Sequence, residues 1–209
     1  MEEDYSCYIY IAFFVTNTNI GKMIRLFTRN KFSHVTLAFD RNLNQMYSFA
    51  RYHVNSPIRG GFVIEEPARY LYNENDATVK LCRIPVTENE YNRILKEVTY
   101  FKENREKMIY NTLNAVLSLL KKQVTIKDAY TCLEFVNYIL RLSDILVIRE
   151  LERKFQKYVI YQGSFRELAN WEQSYMDETD YFERRHALGV VRDTVGHFTK
   201  VAYRFCLGR

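Results

Sequence analysis

The chain lacks several features that mark common classes of protein. It has only 7 glycines and 3 prolines among 209 residues, which excludes a collagen-like chain and a low-complexity disordered one. Its cysteines never form a CxxC pair; they are Cys7, Cys82, Cys132 and Cys206. Their wide spacing argues against a zinc ribbon, a dithiol redox motif and a small disulfide scaffold, so we expect reduced thiols.

Long hydrophobic runs are also missing. The run "YIYIAFFV" at residues 8–15 is too short to span a bilayer. The preceding "MEED" is acidic where a signal peptide would carry positive charge. The sequence also shows no internal period typical of a repeat protein. With 47% hydrophobic residues, the chain is predicted to form one compact domain with an appendage, located in the cytoplasm.

The basic residues form no stripe that could follow a phosphate backbone. The net charge is +5, but lysines and arginines alternate with acidic residues, as in "LKEVTYFKENREK" at residues 95–107. Nucleic-acid-binding surfaces cluster their basic residues on one face or along one helix. We therefore expect no nucleic-acid partner.

Strand patterns dominate the first part of the chain, and helix patterns dominate the second. Aromatic and β-branched runs predict strands in "CYIYIAFFV", "HVTLAFD", "QMYSFAR", "FVIEE" and "TVKLCRIPV", with a short helix over residues 20–27. The capping-box motif "TENE" and apolar spacing then predict helices near 87–101, 107–121 and from 132, before "FQKYVIYQG" returns to strand. This order predicts an α+β fold, with a mostly antiparallel sheet packed against helices.

The residues after 168 have a different character. Apolar residues recur there three or four positions apart, which predicts a basic amphipathic helix that is interrupted or delayed at Gly189 and Gly196. The apolar positions are Leu188, Val191, Val195, Phe198, Ala202 and Phe205. We expect this face to pack on the domain, with a membrane surface, self-association or a partner helix as the alternative. We assign 1–168 to the domain and 169–209 to a C-terminal helical extension.

Cys132 lies in a sequence context that favours a reactive thiol. In "TCLE", Thr131 could be the N-cap of an apolar helix, with Glu134 as its capping-box partner, and Asp128 is the alternative cap. Either cap places the thiol near the helix N-terminus, where free amides and the macrodipole favour the thiolate. A buried structural cysteine is the competing interpretation.

A thiolate nucleophile needs a base, and His34 is the candidate. It opens the apolar strand "HVTLAFD", where it is either a hydrogen-bonded core histidine or a site residue. By contrast, His53 lies in a predicted loop, and His186 and His197 lie in the C-terminal segment. Those three positions are typical of solvent-exposed or surface-helix histidines.

Four segments of the sequence, taken together, resemble one family. "FSHVTLAFD", "MYSFAR", "GGFVIEE" and "YTCLEFVNYIL" are similar to the circularly permuted papain-like thiol hydrolases of the NlpC type. That family includes the YiiX-like amidases and, more remotely, lecithin retinol acyltransferase. In the permuted arrangement the strand histidine precedes the nucleophilic cysteine in sequence. The resemblance covers residues 5 to 168 and implies a permuted papain-like fold for them.

The resemblance implies that Cys132 is the nucleophile and that His34 is the general base. A third polar residue normally orients the imidazole from the neighbouring strand, and Ser48 occupies the position that faces His34. Relatives often have Glu, His, Asn or Gln at that position, and a serine hydroxyl holds an imidazolium less strongly than a carboxylate does. Asp40 and Glu65 are therefore alternatives for the third catalytic residue.

Further candidates surround this pair. Tyr130 and the Cys132 backbone amide could stabilise an oxyanion, although Tyr130 is equally well explained as a packed aromatic. Arg51 and Arg59 flank the loop before "GGF", and Arg51 and Glu65 are candidate substrate-binding residues. We interpret Glu134 as a helix cap, and thiol chemistry of this kind requires no metal or other cofactor.

Together these residues predict a cysteine hydrolase of the amidase or thiol-peptidase type. It would cleave a peptide, isopeptide or other acyl-amide bond through a thioester. A thiol acyltransferase or lipid esterase would use the same residues and draws support from the basic C-terminal helix. A catalytically inactive binding module of the same fold is the third hypothesis, which Ser48 at the third position keeps open.

Overall fold

A computed structural model of the chain describes residues 6–15, 31–56, 58–71, 75–169 and 180–207. The short helix predicted over 20–27 lies outside these residues. The remaining strand and helix predictions can be compared with the structure directly.

Six strands form one antiparallel sheet. They are β1 (Cys7–Phe14), β2 (His34–Ala38), β3 (Met46–Arg51), β4 (Gly60–Glu65), β5 (Thr78–Val86) and β8 (Val159–Ser164), arranged in the order β4-β3-β2-β1-β5-β8. Two short strands, β6 (Ile109–Tyr110) and β7 (Ala129–Tyr130), form a separate parallel pair. The sheet and the helices around it confirm the predicted α+β class.

Both faces of this sheet are buried, and β1 lies near its centre. Ile9, Ile11 and Phe13 point into the larger core, while Ala12 and Phe14 point into a second core on the opposite face. Successive strand residues face opposite sides of a sheet, so a strand buried on both sides is apolar at every position. This explains why the first run shows no alternation of polar and apolar residues.

Seven α-helices complete the described part of the fold. They are α1 (Ala68–Leu71), α2 (Glu88–Glu103), α3 (Thr112–Leu117), α4 (Cys132–Ile139), α5 (Ile148–Lys154), α6 (Phe165–Ala169) and α7 (Ala187–Leu207). The capping box of α2 is confirmed, with Thr87 and Glu90 bonding each other's backbone amides. The helix predicted over 107–121 is wrong in extent, because β6 occupies its start and a 3-10 turn, Ser118–Leu120, its end.

The C-terminal helix α7 runs through Gly189 and Gly196 without interruption, contrary to the sequence prediction. It packs on the domain with polar groups. Asp193 accepts a hydrogen bond from Arg59 Nη1 at 2.8 Å, and His197 Nε2 lies 2.9 Å from the carbonyl oxygen of Tyr110. Its apolar positions, which were predicted to face the domain, are mostly exposed.

Arg204 fastens the far end of α7 to the backbone around the short parallel pair. Its guanidinium donates to the carbonyl oxygens of Lys107 at 2.9 Å, Lys127 at 3.2 Å and Asp128 at 3.0 Å. These carbonyls come just before β6 and β7. Since β7 leads directly into α4, the C-terminal helix braces the segments that carry the candidate nucleophile.

Two of the three histidines predicted to be exposed are buried. His197 is 4% exposed on the side of α7 that faces the domain. His53 is 7% exposed beside Arg185, whose Nε lies 3.3 Å from His53 Nε2. His186 is exposed, as predicted. Sequence position alone could not show that the C-terminal segment folds back over the loop containing His53.

A pair of glycine substitutions should have opposite effects on stability. A Cβ on Gly60 would lie 2.3 Å from the Ala50 carbonyl oxygen, whereas nothing lies within 4 Å of a Cβ on Gly196. Gly60→Ala is therefore expected to destabilise the fold by about 1–3 kcal/mol through overpacking. Gly196→Ala should stabilise it by about 0.5–1 kcal/mol, as for a glycine inside a helix. Urea unfolding measures both, and equal effects would contradict the close approach of β3 and β4.

Candidate active site

The thiol of Cys132 sits in the first turn of α4. Thr131 is the N-cap, its hydroxyl accepts from the Glu134 amide at 3.1 Å, and the Glu134 carboxylate accepts from the Thr131 amide at 2.8 Å. The predicted capping box is thus confirmed, and the alternative cap, Asp128, instead adopts a positive φ of 53° before β7. Cys132 is 6% exposed, at a helix end whose free amides attract negative charge.

Glu134 is fully engaged in holding this turn in place. Its Oε1 accepts from Asn114 Nδ2 at 2.6 Å and from Gln123 Nε2 at 3.0 Å. The Glu134 side chain therefore connects α4 to α3 and to the loop that follows α3. These contacts agree with its interpretation as a helix cap.

His34 and Glu65 form a buried pair across the sheet edge. His34 begins β2 and Glu65 ends β4, with β3 between these strands. His34 Nε2 lies 2.7 Å from Glu65 Oε1. The other carboxylate oxygen accepts from the Tyr70 hydroxyl at 2.5 Å and lies 3.4 Å from Arg69 Nε. Glu65 of β4 thus holds the imidazole directly, and Arg69 and Tyr70 of α1 hold Glu65.

The electrostatics of the pair favour an imidazolium that faces a carboxylate. Burial alone would lower the pKa of His34, but attraction to Glu65 and Cys132, together with the hydrogen bond to Glu65, raises it to about 10. Burial would raise the pKa of Glu65, but His34 and Arg69 hold it well below its usual range. Since an ionised carboxylate only accepts, Nε2 donates to Glu65, and Nδ1 is the nitrogen left for the thiol.

Among the three candidates for the third catalytic residue, Glu65 makes the short contact with His34. Ser48 Oγ lies 3.4 Å from His34 Nε2, but its hydroxyl donates to the Val35 carbonyl oxygen at 3.1 Å. This bond joins β2 and β3 just beyond the last residues that pair in the sheet. Asp40 accepts from the Asn44 side chain in the hairpin loop. Glu65 is 1% exposed, and its two carboxylate oxygens already contact His34 and Tyr70. It therefore supports the imidazole and has no free oxygen to offer a substrate.

Tyr130 is part of an aromatic cluster in the core. Its ring centroid lies 5.3 Å from those of Phe49 and Phe101 and 5.8 Å from that of Tyr138. These contacts support the packing interpretation that sequence analysis left open.

Tyr110, which sequence analysis did not single out, lies beside the thiol. Burial and the nearby charges of Cys132 and Glu134 raise the pKa of its hydroxyl. The hydroxyl therefore stays protonated and can donate a hydrogen bond to charge that develops on a substrate oxygen. The prediction of a continuous helix over 107–121 concealed this residue.

Arg51 reaches toward the C-terminal segment. It donates to the Val54 carbonyl and to the Tyr181 hydroxyl, both at 3.1 Å. Arg59 pairs with Asp193 of α7. The structure thus gives both arginines partners within the chain, and the substrate-binding role of Arg51 stays a prediction.

A groove with a cavity volume of about 60 Å³ opens beside Cys132. Its walls are mainly apolar and include Phe32, Ala115, Leu133, Ile145, Leu146, Val147 and Ile148. Asn114, Ser118, Lys122 and Gln123 add polar groups, one of them positively charged. The apolar walls would receive an apolar group, because burying apolar surface is favourable.

Among the described residues, no group of three or more histidines, cysteines and acidic residues could hold a metal ion. No helix in this part of the chain is both long and apolar enough to cross a membrane. Comparison of the chain with protein-family models, curated proteins and solved structures found no match. The chemistry of the site therefore has to be argued from its own geometry.

Proposed function

We propose that the protein is a cysteine hydrolase that cleaves an amide bond through a thioester on Cys132. The observation that carries the proposal is the imidazole of His34, which Glu65 holds on one nitrogen at 2.7 Å and which begins the strand that packs against the helix of Cys132. A thiol, an imidazole and a carboxylate in series are the groups that activate a cysteine nucleophile. Their order along the chain supports a permuted papain-like fold for the domain.

The mechanism follows from this arrangement. The Cys132 thiolate attacks the acyl carbon, and the C–N bond breaks as the His34 imidazolium gives its proton to the leaving nitrogen. His34 then takes a proton from water, whose oxygen attacks the thioester and releases a carboxylic acid. The amides at the start of α4 and the Tyr110 hydroxyl would stabilise the two oxyanions.

One observation favours a second candidate function on the same residues. The apolar walls of the groove beside Cys132 suit a hydrocarbon chain, and such a chain could belong to a lipid ester or to an acyl donor. In a transferase the acyl group of the thioester would pass to an amine or hydroxyl in place of water, and the C–S bond would break to release the Cys132 thiolate. The binding-module hypothesis rested on Ser48 as the third residue, and the Glu65 contact removes that reason for it.

Incubation with p-nitrophenyl acetate should acylate Cys132 and release p-nitrophenolate in a burst. The adduct is expected to carry one acetyl group, to be lost with hydroxylamine and to be absent from Cys132→Ser and His34→Ala. Intact-mass and peptide mass spectrometry locate it. Cys206 provides the internal control, because it is exposed and lies far along α7. Equal acetylation of Cys132 and Cys206 would contradict an activated nucleophile.

Acyl chain length then separates the two candidates. A lipid enzyme should acylate faster with p-nitrophenyl esters of longer chains, which fill the apolar groove. An amidase should cleave N-acyl anilides, and its rate should not depend on the length of the acyl chain. Ala115, on the groove wall, gives a matched probe, because Ala115→Phe would selectively exclude the long chains.

A further inference from the structure

The C-terminal helix α7 exposes a continuous apolar stripe. We call the set Leu188, Val191, Val195, Phe198 and Ala202 the outer stripe. Leu188 is 86% exposed, and Val191, Val195 and Phe198 are 60%, 61% and 50% exposed. Their spacing of three and four residues places them on one side of the helix. A stripe of this size on a surface helix indicates an interaction site.

The contacts on the opposite side of the helix fix this orientation. Asp193, His197 and Arg204 bond to Arg59, to the Tyr110 carbonyl and to three other carbonyls of the domain. Turning the stripe inward would break these bonds and leave Asp193 and His197 without their partners. The helix therefore keeps its polar side on the domain and its apolar side outward.

The exposed charges on α7 itself are of one sign. They are Arg192 and Lys200, and the exposed residues Glu183 and Arg184 lie just before the helix. The single acidic residue within α7, Asp193, is buried against Arg59 and Arg185. A second copy docked on the stripe would bring like charges together, whereas an anionic surface would neutralise them.

A second apolar patch lies next to α7. The helix α3 packs with α7 through a shared cluster that includes Leu113 and Phe205. One turn beyond Leu113, Val116 is 62% exposed, and Leu120 is 67% exposed. Lys121 and Lys122, both exposed, follow directly. The apolar surface thus continues onto α3 with basic residues at its border.

We propose that α7 binds flat on an anionic lipid bilayer, with the outer stripe inserted among the headgroups and acyl-chain ends. An amphipathic helix with basic flanks and an apolar stripe binds membranes in this way, and anionic lipids strengthen the binding. A helix of 21 residues would lie along the surface for about 30 Å. This role does not depend on the chemistry of Cys132.

The test is flotation of the full chain with phosphatidylcholine vesicles, with and without one-third phosphatidylserine. Binding should be about tenfold stronger with phosphatidylserine and should fall as salt is added. The triple variant V191S/V195S/F198S should lose about tenfold or more of this binding. R192E/K200E should lose the preference for phosphatidylserine while the stripe remains.

A matched control is available on α2. Leu95 and Tyr100 are 43% and 54% exposed, and L95S/Y100S should bind vesicles as the wild type does. Unchanged Cys132 alkylation in every variant shows that the fold and the site are intact. Absent vesicle binding, or equal binding by wild type and triple variant, overturns the proposal. A vesicle-free dimer that the triple variant dissociates overturns it as well and assigns the stripe to a second copy.

Discussion

At pH 6, His34→Ala is expected to slow the alkylation of Cys132 by iodoacetamide by about 100-fold. Iodoacetamide reacts with the thiolate, and an adjacent positive charge typically favours the ionised form of a group by a factor of about 10 to 1,000. The proposed pair requires that the imidazolium, held by Glu65, favour ionisation of the thiol at the start of α4. Without the imidazole, a thiolate there would lose its counter-charge in the buried site. Mass spectrometry of the Cys132 peptide measures the rate without replacing the other cysteines.

Two comparisons make this result specific. Ser48→Ala, which removes the hydroxyl 3.4 Å from Nε2, should change the rate only a few-fold, because Glu65 still orients the ring. His197→Gln removes another buried histidine, one that contacts the backbone of Tyr110, and should also preserve fast alkylation. If Cys132 reacts at the same rate with and without His34, the two residues do not form a catalytic pair.

Glu65→Gln should cost about 3–5 kcal/mol of unfolding free energy at pH 7. The substitution keeps the shape of the side chain but leaves the His34 imidazolium buried without its counter-charge, and breaking one side of a buried ion pair has costs of this size. Arg69 and Tyr70 lose the same acceptor. Urea unfolding of both proteins measures the difference.

The effect of this variant should depend on pH in a defined direction. The pKa of Glu65 is lowered from 4.5 to about 2 in the folded protein. Its stabilising contribution is therefore complete above pH 4.5 and is lost as the pH falls toward 2. The gap between wild type and Glu65→Gln should accordingly shrink between pH 4.5 and pH 2.

A surface ion pair provides the control for that experiment. Glu97 contacts Arg93 and Arg141, whose side chains are 34% and 58% exposed. Glu97→Gln should cost about 1 kcal/mol or less, because solvent screens such pairs. If Glu65→Gln and Glu97→Gln lower the free energy of unfolding equally, the buried carboxylate beside His34 does not stabilise the fold more than a surface carboxylate does.

The sequence predicted the site residues that belong to local motifs. Thr131 and Glu134 flank Cys132 at the spacing of a capping box, and that spacing alone sets the start of α4. His34 was identifiable because a titratable ring seldom opens an apolar strand. In each case the informative signal lies within a few residues along the chain.

The contacts that the sequence pattern could not predict are tertiary. The contact of Glu65 with His34 requires knowing that β3 lies between β2 and β4, so the pattern favoured Ser48 and left Asp40 and Glu65 as alternatives. Tyr110 belongs to a two-residue strand that exists only by pairing with β7. No local pattern distinguishes such a strand from the start of a helix.

The outer stripe shows a further limit of periodicity. Spacing correctly grouped Val191, Val195 and Phe198 on one side of a helix. It could not show which side the domain would contact, since that depends on partners for Asp193 and His197 far away in sequence. The burial of a mixed polar face reversed the expected orientation.

The hydrogen bonds of Arg204 to the domain affect which substitutions the sequence can accept over evolutionary time. Its guanidinium bonds to main-chain oxygens, which every amino acid provides, so the side chains of Lys107, Lys127 and Asp128 can vary without loosening the C-terminal helix. Arg204 itself has no such freedom, because lysine cannot offer several donors in a fixed planar array. Homologous chains could therefore diverge widely across this contact and still share the same brace behind the nucleophile.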